Sequence, residues 1–244
     1  MNPSGGLRWH WRAWRSQARW QGARDQIAQW LACVPTRRSE LLVLGASAGW
    51  MLPSAWLSRF ERVDLWDIDP WAPTLFARRH GAALQAAGVQ WTYHRGDALA
   101  DLPTLLQRHP NAAIFFDNLL GQLRFHAPAG AAGVSQIERA LAVVSRSLAG
   151  REWGSVHDAF SGPALGPSKG LPAMRRRRRK DGASPTADPW LLSLLPSGPW
   201  LDHLTSAIFP LGTEIHDIAW PFKPDYWHWL QAAWVTAPGN KISQ

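Results

Sequence analysis

An α/β fold with a mostly parallel sheet is predicted by three observations. From residue 41 onward, short apolar runs alternate with helical stretches, the pattern of parallel strands joined by crossover helices. The first apolar run ends in a turn of small residues between Gly45 and Gly49. The first four runs each end at a small or acidic residue. These residues should share the carboxyl edge of the sheet, where open α/β sheets bind ligands.

The predicted elements follow one another at regular spacing. Strands are expected at 41–45, 63–67, 89–94 and 112–117, with helices at 53–60, 72–87 and 101–108 between them. An amphipathic helix over 134–148 precedes a fifth strand at 152–158. The stretches 213–220 and 226–235 flank a turn and predict two further strands, which pair in antiparallel fashion. The sheet should therefore contain about seven strands and end with an antiparallel one.

Residues 1–38 are predicted to form an N-terminal accessory helix, and residues 39–244 the main domain. The helix should cover 7–33, with an arginine stripe beside an apolar face. The stripe contains Arg8, Arg12, Arg15 and Arg19, and the apolar face contains Trp9, Trp20, Ile27 and Leu31. We interpret it as a surface helix docked through its apolar face. The alternatives are a lid over the ligand or a surface for an anionic partner.

The net charge of +8 is unevenly distributed. Residues 1–38 contain seven Arg and one Asp, and six consecutive cations run from Arg175 to Lys180. The rest of the chain is consequently mildly acidic. Residues 161–189 are rich in Gly, Pro and Ser and predict a mobile basic insertion. Nucleic-acid binding through the tract from Arg175 to Lys180 is an alternative that we do not favour, because charge runs in loops are commonly solvated.

The composition indicates a reducing compartment. A single cysteine, Cys33, excludes an internal disulfide. The N-terminus has no apolar core typical of a secretory signal, and no apolar run approaches the length of a membrane span. We therefore expect a cytoplasmic protein that does not associate with a membrane.

The chain resembles the class I S-adenosylmethionine-dependent methyltransferases over roughly residues 38–160. Four segments carry the resemblance, namely 43–49, 67–70, 96–98 and 116–118. It implies a Rossmann-like three-layer sandwich and S-adenosylmethionine as the cofactor. The acid about 20 residues beyond the glycine turn fits the ribose-binding position of nucleotide-binding folds.

The resemblance also implies roles for individual residues. Gly45 and Gly49 would line the methionine portion of the cofactor, Asp67 would hold the ribose, and Asp97 would contact the adenine amino group. Asp117 would lie near the methyl donor. The same segments contribute the remaining implied cofactor contacts, Ala46, Ser47, Ile68 and Ala98.

Three residues are candidates for catalysis. Asp117 and Asn118 follow the fourth strand and are placed to reach the methyl group, although they also suit a turn cap. His157 ends the fifth strand and is a candidate general base, or else a histidine bonded to the backbone. A metal site built from His157, His216 and nearby acids is not expected, because no tight ligand-spacing motif is present.

Several acceptor classes are disfavoured by the sequence. Residues 117–120 are not an Asn-Pro-Pro-Tyr loop, one cysteine cannot serve a two-cysteine mechanism, and the four lysines do not match a ribose-methylation tetrad. A small molecule or a protein is the favoured acceptor.

Two alternative functions remain open. One is a non-catalytic methyltransferase-like module with basic appendages for an anionic partner, because Val43 and Ser47 depart from the family pattern. The other is an NAD-dependent oxidoreductase. The spacing of Gly45, Ser47 and Gly49 disfavours it, since the last glycine comes one residue too early for a dinucleotide loop.

Overall fold

The structure is a computed structural model that describes residues 6–164, 171–180 and 200–237. Nine strands form one sheet in the order β3-β2-β1-β4-β5-β9-β8-β6, with β7 paired to β5. The strands are β1 (Glu40–Leu44), β2 (Arg62–Asp67), β3 (Gln90–Arg95), β4 (Ala113–Asp117), β5 (Trp153–Pro163), β6 (Arg175–Arg178), β7 (Leu201–Asp202), β8 (Glu214–Lys223) and β9 (Tyr226–Val235).

Strand pairing confirms the predicted fold class. The strands from β3 to β5 pair in parallel. Strand β9 then inserts antiparallel between β5 and β8, which gives the expected antiparallel final strand. The sheet exceeds the predicted seven strands by the short β6 and β7, neither of which has an apolar alternating pattern in the sequence. The result is the Rossmann-like arrangement in which ligands bind beyond the carboxyl ends of the parallel strands.

Helices cover both faces of the sheet and complete three layers. They are α1 (Leu7–Arg15), α2 (Gln17–Ala32), α3 (Ser54–Leu57), α4 (Ala72–Phe76), α5 (Ala82–Ala86), α6 (Leu102–Arg108), α7 (Leu119–His126) and α8 (Ala131–Ser147), with a π-helical turn, Ala77–Gly81, between α4 and α5. Leu41 and Val43 of β1 face one apolar cluster, and Leu42 and Leu44 face the other. Strand β1 is thus buried on both sides, as its unbroken apolar sequence requires.

The N-terminal segment is two helices rather than one. A break at Ser16 separates α1 from α2. Helix α2 packs on β8, where Trp20 and Ile27 are fully buried and the Trp20 indole donates a hydrogen bond to the Phe222 carbonyl oxygen (3.2 Å). This helix is therefore part of the core and not only a surface attachment. No helix in the described ranges has both the length and the apolar character needed to cross a bilayer.

The basic tract is partly ordered as a strand, which corrects the expectation of an irregular loop. Residues Arg175–Arg178 form β6 at the edge of the sheet, paired with β8. Arg175 and Arg177 point to the same side, and both donate to the carboxylate of Asp217, with Arg175 Nη2 and Arg177 Nε each 2.7 Å from Oδ2. Charge pairing across the strands thus replaces the apolar alternation that marks other strands. Residues 161–163 continue β5, and 165–170 and 181–189 lie outside the described residues.

Candidate functional site

A cavity of about 360 Å³ opens beyond the carboxyl ends of the parallel strands. Gly45, Asp67, Asp97 and Asp117 all line it. These residues follow or end four different strands, and the strand order brings them together as predicted. The wall also includes Trp9, Ser47, Ile68, Gly96, Ala98, Leu99, Asn118, Leu119, Gln122, Leu123 and His126.

Gly45 permits a close approach between the first loop and α7. Its φ angle is +76°, and a Cβ atom at this position would lie 2.7 Å from Leu119 Cβ and 3.2 Å from the Asp117 carbonyl oxygen. Both the left-handed backbone and the lack of space therefore require glycine.

Ser47 is held by contacts from three directions. Its amide donates to Asp67 Oδ2 (2.8 Å), its carbonyl oxygen accepts from the Tyr93 hydroxyl (2.6 Å), and its hydroxyl accepts from the Trp9 indole (3.1 Å). The residue adopts a left-handed conformation with φ 46°, which is uncommon for a side chain other than Gly, Asn or Asp. These bonds fix the loop in one conformation before any ligand binds.

Asp67 lies at the end of β2 and is nearly buried. Its Oδ1 accepts from the Asp69 amide (2.8 Å) and its Oδ2 from the Ser47 amide. Burial raises the pKa of Asp67, while these backbone bonds oppose the shift. Each carboxylate oxygen has a second lone pair, so the side chain retains capacity to accept hydroxyl groups from the cavity.

The carboxylate of Asp117 has no hydrogen-bond or ion-pair partner among the described residues. This residue ends β4 and lines the cavity, yet no hydrogen bond from the described part of the chain reaches its side chain. Burial, together with the nearby charge of Asp67, raises the pKa of Asp117 to about 8. A positively charged ligand in the cavity would stabilise the ionised carboxylate.

Asp97 lies at the outer end of the cavity. Its Oδ1 accepts from the amides of Leu99 (3.0 Å) and Ala100 (3.1 Å), which caps the turn after β3. The neighbouring Ala98 is buried and Ile68 is half exposed, and both line the cavity. This cavity wall therefore offers a planar ring apolar side chains together with an acid.

Two predicted cofactor contacts are wrong in their placement. Ala46 is fully buried in the core and does not line the cavity. Gly49 faces His80, because a Cβ atom there would lie 2.6 Å from the His80 Nε2 atom. Burial lowers the pKa of His80 to about 4, and its ring contacts the Gly49 carbonyl oxygen at 3.1 Å. The glycine thus serves the folding of the loop rather than ligand contact.

A smaller hollow of about 50 Å³ adjoins the main cavity. The two share Trp9, Gly45, Ser47, Asp117 and Asn118. The rest of its lining is apolar or aromatic and consists of Trp50, Met51, Val156, Trp220 and Leu230. Asp117 and Asn118 therefore stand where the main cavity meets the smaller, apolar hollow.

Asn118 joins the end of β4 to the middle of β5. Its Nδ2 donates to Asp158 Oδ2 (3.0 Å), and its Oδ1 accepts from the Asp158 amide (2.9 Å). Asn118 adopts a left-handed conformation with φ 54°, which asparagine tolerates better than most residues. The side chain holds the rim of the cavity in place and is already paired on both polar atoms.

The prediction that His157 reaches this cavity is wrong. Successive residues of a strand alternate between faces, and Val156 takes the side of the smaller hollow. His157 is fully buried on the other face, stacked on Phe209, with Nδ1 2.8 Å from Ser155 Oγ. Burial lowers its pKa to about 3.

A buried polar cluster next to the rim escaped sequence reasoning. Asp158, His203 and His228 place ligand-type atoms within 4.8 Å of one another, and no other such group occurs among the described residues. His228 Nδ1 donates to Asp158 Oδ1 (2.8 Å), and His203 bonds to the Gly121 carbonyl oxygen and the Ser161 hydroxyl. These bonds satisfy Asp158 and His203 without a metal ion. The partners are 42 to 82 residues apart, a separation that no local pattern signals.

Sequence reasoning placed no individual residue of α1 or α7 in the site, although a lid formed by the N-terminal helix was one of its alternatives. Trp9 from α1 lines both hollows, and Gln122, Leu123 and His126 come from α7. Helix α7 spans only eight residues and begins directly after the left-handed Asn118. A helix this short shows little periodicity, so no sequence signal separates it from a loop.

Sequence comparisons give no family, since neither a family model nor a curated protein matches the chain. Structural comparison finds the N-methyltransferase NodS from Bradyrhizobium japonicum WM9 in complex with S-adenosyl-L-homocysteine, at 12% identity and a TM-score of 0.44, covering 89% of this chain and 87% of that one. It also finds magnesium protoporphyrin IX methyltransferase from Synechocystis PCC 6803 with the same ligand, at 16% identity and a TM-score of 0.42, covering 87% and 82%.

An O-methyltransferase family protein from Burkholderia thailandensis is a third similar structure, at 11% identity and a TM-score of 0.42, covering 89% of this chain and 56% of that one.

Proposed function

We propose that this protein is an S-adenosylmethionine-dependent methyltransferase. The observation that carries the proposal is the convergence of Gly45, Asp67, Asp97 and Asp117 on one cavity at the carboxyl edge of the sheet. Three acids that differ in exposure suit a ligand with hydroxyl groups, an amino-bearing ring and positive charge. S-adenosylmethionine has all three features.

The residues present fit this cofactor from one end to the other. Asp97 and Ile68 would flank the adenine ring, and Asp67 would accept hydrogen bonds from the ribose hydroxyls. Asp117 would face the positively charged amino and sulfonium groups. Val43, where the family has an acid, is fully buried in the core. We infer that Asp117 supplies the negative charge that Val43 does not.

The acceptor is proposed to enter through the smaller hollow, because that hollow adjoins Asp117 and Asn118. When bound, the cofactor supplies an electrophilic methyl group. The chain contributes alignment, which accounts for much of the barrier reduction in a displacement of this kind. An apolar lining of Met51, Val156, Trp220 and Leu230 favours an acceptor with an apolar portion. A small molecule or a protein side chain meets this requirement.

Isothermal titration with S-adenosyl-L-homocysteine tests the cofactor assignment. Wild-type protein should bind one equivalent, and Asp67→Ala should weaken binding by about tenfold or more, since hydrogen bonds to a charged group each contribute about 1.5–3 kcal/mol. Glu138→Gln is the matched control, because Glu138 is exposed on α8.

The titration also separates the alternatives. Absence of heat at millimolar ligand would contradict the proposal, as would an Asp67→Ala variant that binds as tightly as the wild type. Binding of NADH in its place would favour an oxidoreductase.

A further inference from the structure

Helix α1 presents an outward surface with two distinct bands. The apolar band consists of Leu7, Trp11 and Trp14, which are 58%, 59% and 62% exposed. The basic band consists of Arg8, Arg12 and Arg15, all of them exposed. Spacings of three and four residues place each set along one side of the helix. The opposite side, with His10 and Ala13, is buried against the domain.

The helix is firmly seated, so the exposure of its tryptophans is not a consequence of fraying. Asp69 accepts from the Gly6 amide (2.6 Å) and from His10 Nε2 (3.1 Å). His10 Nδ1 in turn accepts from the Trp50 indole (3.0 Å). The domain therefore holds α1 in a fixed orientation with two indoles facing outward.

A shallow depression lies beside the apolar band. It is lined by Leu7, Trp11 and Trp14 together with the buried Trp50 and the half-buried Leu75. Trp71, two residues beyond the Asp69 that Gly6 contacts, is 47% exposed. An exposed apolar surface of this kind on a folded domain marks an interaction site.

The charges around the patch identify an anionic partner. Residues 7–15 contain no Asp or Glu. In the described part of the chain, Arg8, Arg12 and Arg15 form no ion pair. Instead, the Arg15 guanidinium lies 4.7 Å from the Trp11 ring centroid. Symmetric pairing of two copies through α1 would bring these arginines together with no acid between them, so like-charge repulsion disfavours a dimer here.

We propose that α1 binds the surface of an anionic phospholipid bilayer. Tryptophan is enriched at the membrane interface because its ring is apolar and its indole N–H is polar, and arginine pairs with headgroup phosphates. An amphipathic helix with these two bands lies in the plane of the interface. Leu7 in the apolar band provides no stacking surface for a base, so RNA is the less suitable partner.

Vesicle flotation of the full-length protein tests this surface. The protein should float with phosphatidylcholine vesicles that contain one third phosphatidylglycerol, and remain unbound with pure phosphatidylcholine. Binding should weaken at high salt, because headgroup attraction is screened. A Trp11→Ala/Trp14→Ala variant should lose about tenfold or more in partition coefficient. An Arg8→Gln/Arg12→Gln/Arg15→Gln variant should lose about fivefold for each arginine.

A triple variant on α8, Arg139→Gln/Val143→Ala/Arg146→Gln, provides the control, because it removes two exposed arginines and one exposed apolar side chain from another helix. It should float like the wild type, and circular dichroism should show all variants folded. Unchanged flotation of the α1 variants would overturn the proposal. Failure of the wild-type protein to bind anionic vesicles at low salt would also overturn the proposal, whether or not the protein captures single-stranded RNA. Neither result depends on methyltransferase activity.

Discussion

At the residue scale, Asp117 is the most informative side chain of the site. It is a carboxyl group at the junction of the main cavity and the smaller hollow, and no described residue neutralises it. Its raised pKa, about 8, means that the free protein carries a proton there at neutral pH. Such a group is poised to exchange its proton for a cationic ligand.

The affinity for S-adenosylmethionine should therefore depend on pH through Asp117. Binding a cation favours the ionised carboxylate, so the affinity should fall as pH drops below about 8, by up to about tenfold per pH unit. An Asp117→Asn variant has no such group and should lose this component. Binding titrations of the wild type and of the variant at several pH values around 8 measure this pH-dependent component. Ionisation of the ligand itself affects both proteins equally. Parallel pH profiles for the two proteins would contradict the assignment.

A comparison of Gly45 with Gly150 separates two costs of replacing a glycine, namely backbone strain and steric crowding by neighbouring atoms. Gly45 and Gly150 share a φ of +76°, but a Cβ atom at Gly150 would meet nothing within 4 Å. Gly150→Ala should therefore cost about 1 kcal/mol from backbone strain alone. Gly45→Ala should cost about 1–3 kcal/mol more, because Leu119 must move. Urea denaturation measures both, and equal losses would show that the close approach to α7 is unimportant.

At the element scale, β6 shows how an edge strand forms without an apolar pattern. Two of its arginines converge on Asp217, which is almost fully buried on β8. The alternate arginines, Arg176 and Arg178, are exposed, and such a charged edge also discourages pairing with other chains. Sequence periodicity cannot identify this strand, because its partner charge lies about forty residues away.

Asp217→Asn should loosen β6 from the sheet. Removing the charge leaves two guanidinium groups against a neutral amide and should cost on the order of 1–3 kcal/mol. Amide hydrogen exchange in Arg175–Arg178 should accelerate while exchange in β5 stays slow. Glu214→Gln is the matched control on the same strand, since its contact with Arg176 is exposed and 3.8 Å long. Equal acceleration in both variants would show that Asp217 does not anchor the strand.

At the scale of the whole molecule, the strand and helix order was predictable because it follows from local periodicity. Six of the seven longer strands lie within three residues of their predicted positions, and β9 coincides with the predicted range 226–235, whereas β5 continues five residues beyond its predicted end at 158. The convergence of Gly45, Asp67, Asp97 and Asp117 then follows from parallel topology, because each is near the carboxyl end of a strand.

The remaining features of the site depend on tertiary packing. The orientation of His157 was mispredicted because a strand end alone does not specify which face a residue takes. Gly49 was assigned to the ligand because its contact with His80, 31 residues away, has no sequence signature. The walls from Trp9 and α7 likewise arise from how helices dock on the sheet rather than from any motif.

A crystal structure of the full chain with S-adenosyl-L-homocysteine is the most direct test of the proposed site. We expect the adenine beside Asp97 and Ile68, the ribose hydroxyls on Asp67, and the amino group facing Asp117. Ligand density on another face of the domain would contradict this assignment. So would a complex in which side chains fill the cavity between Gly45, Asp67, Asp97 and Asp117.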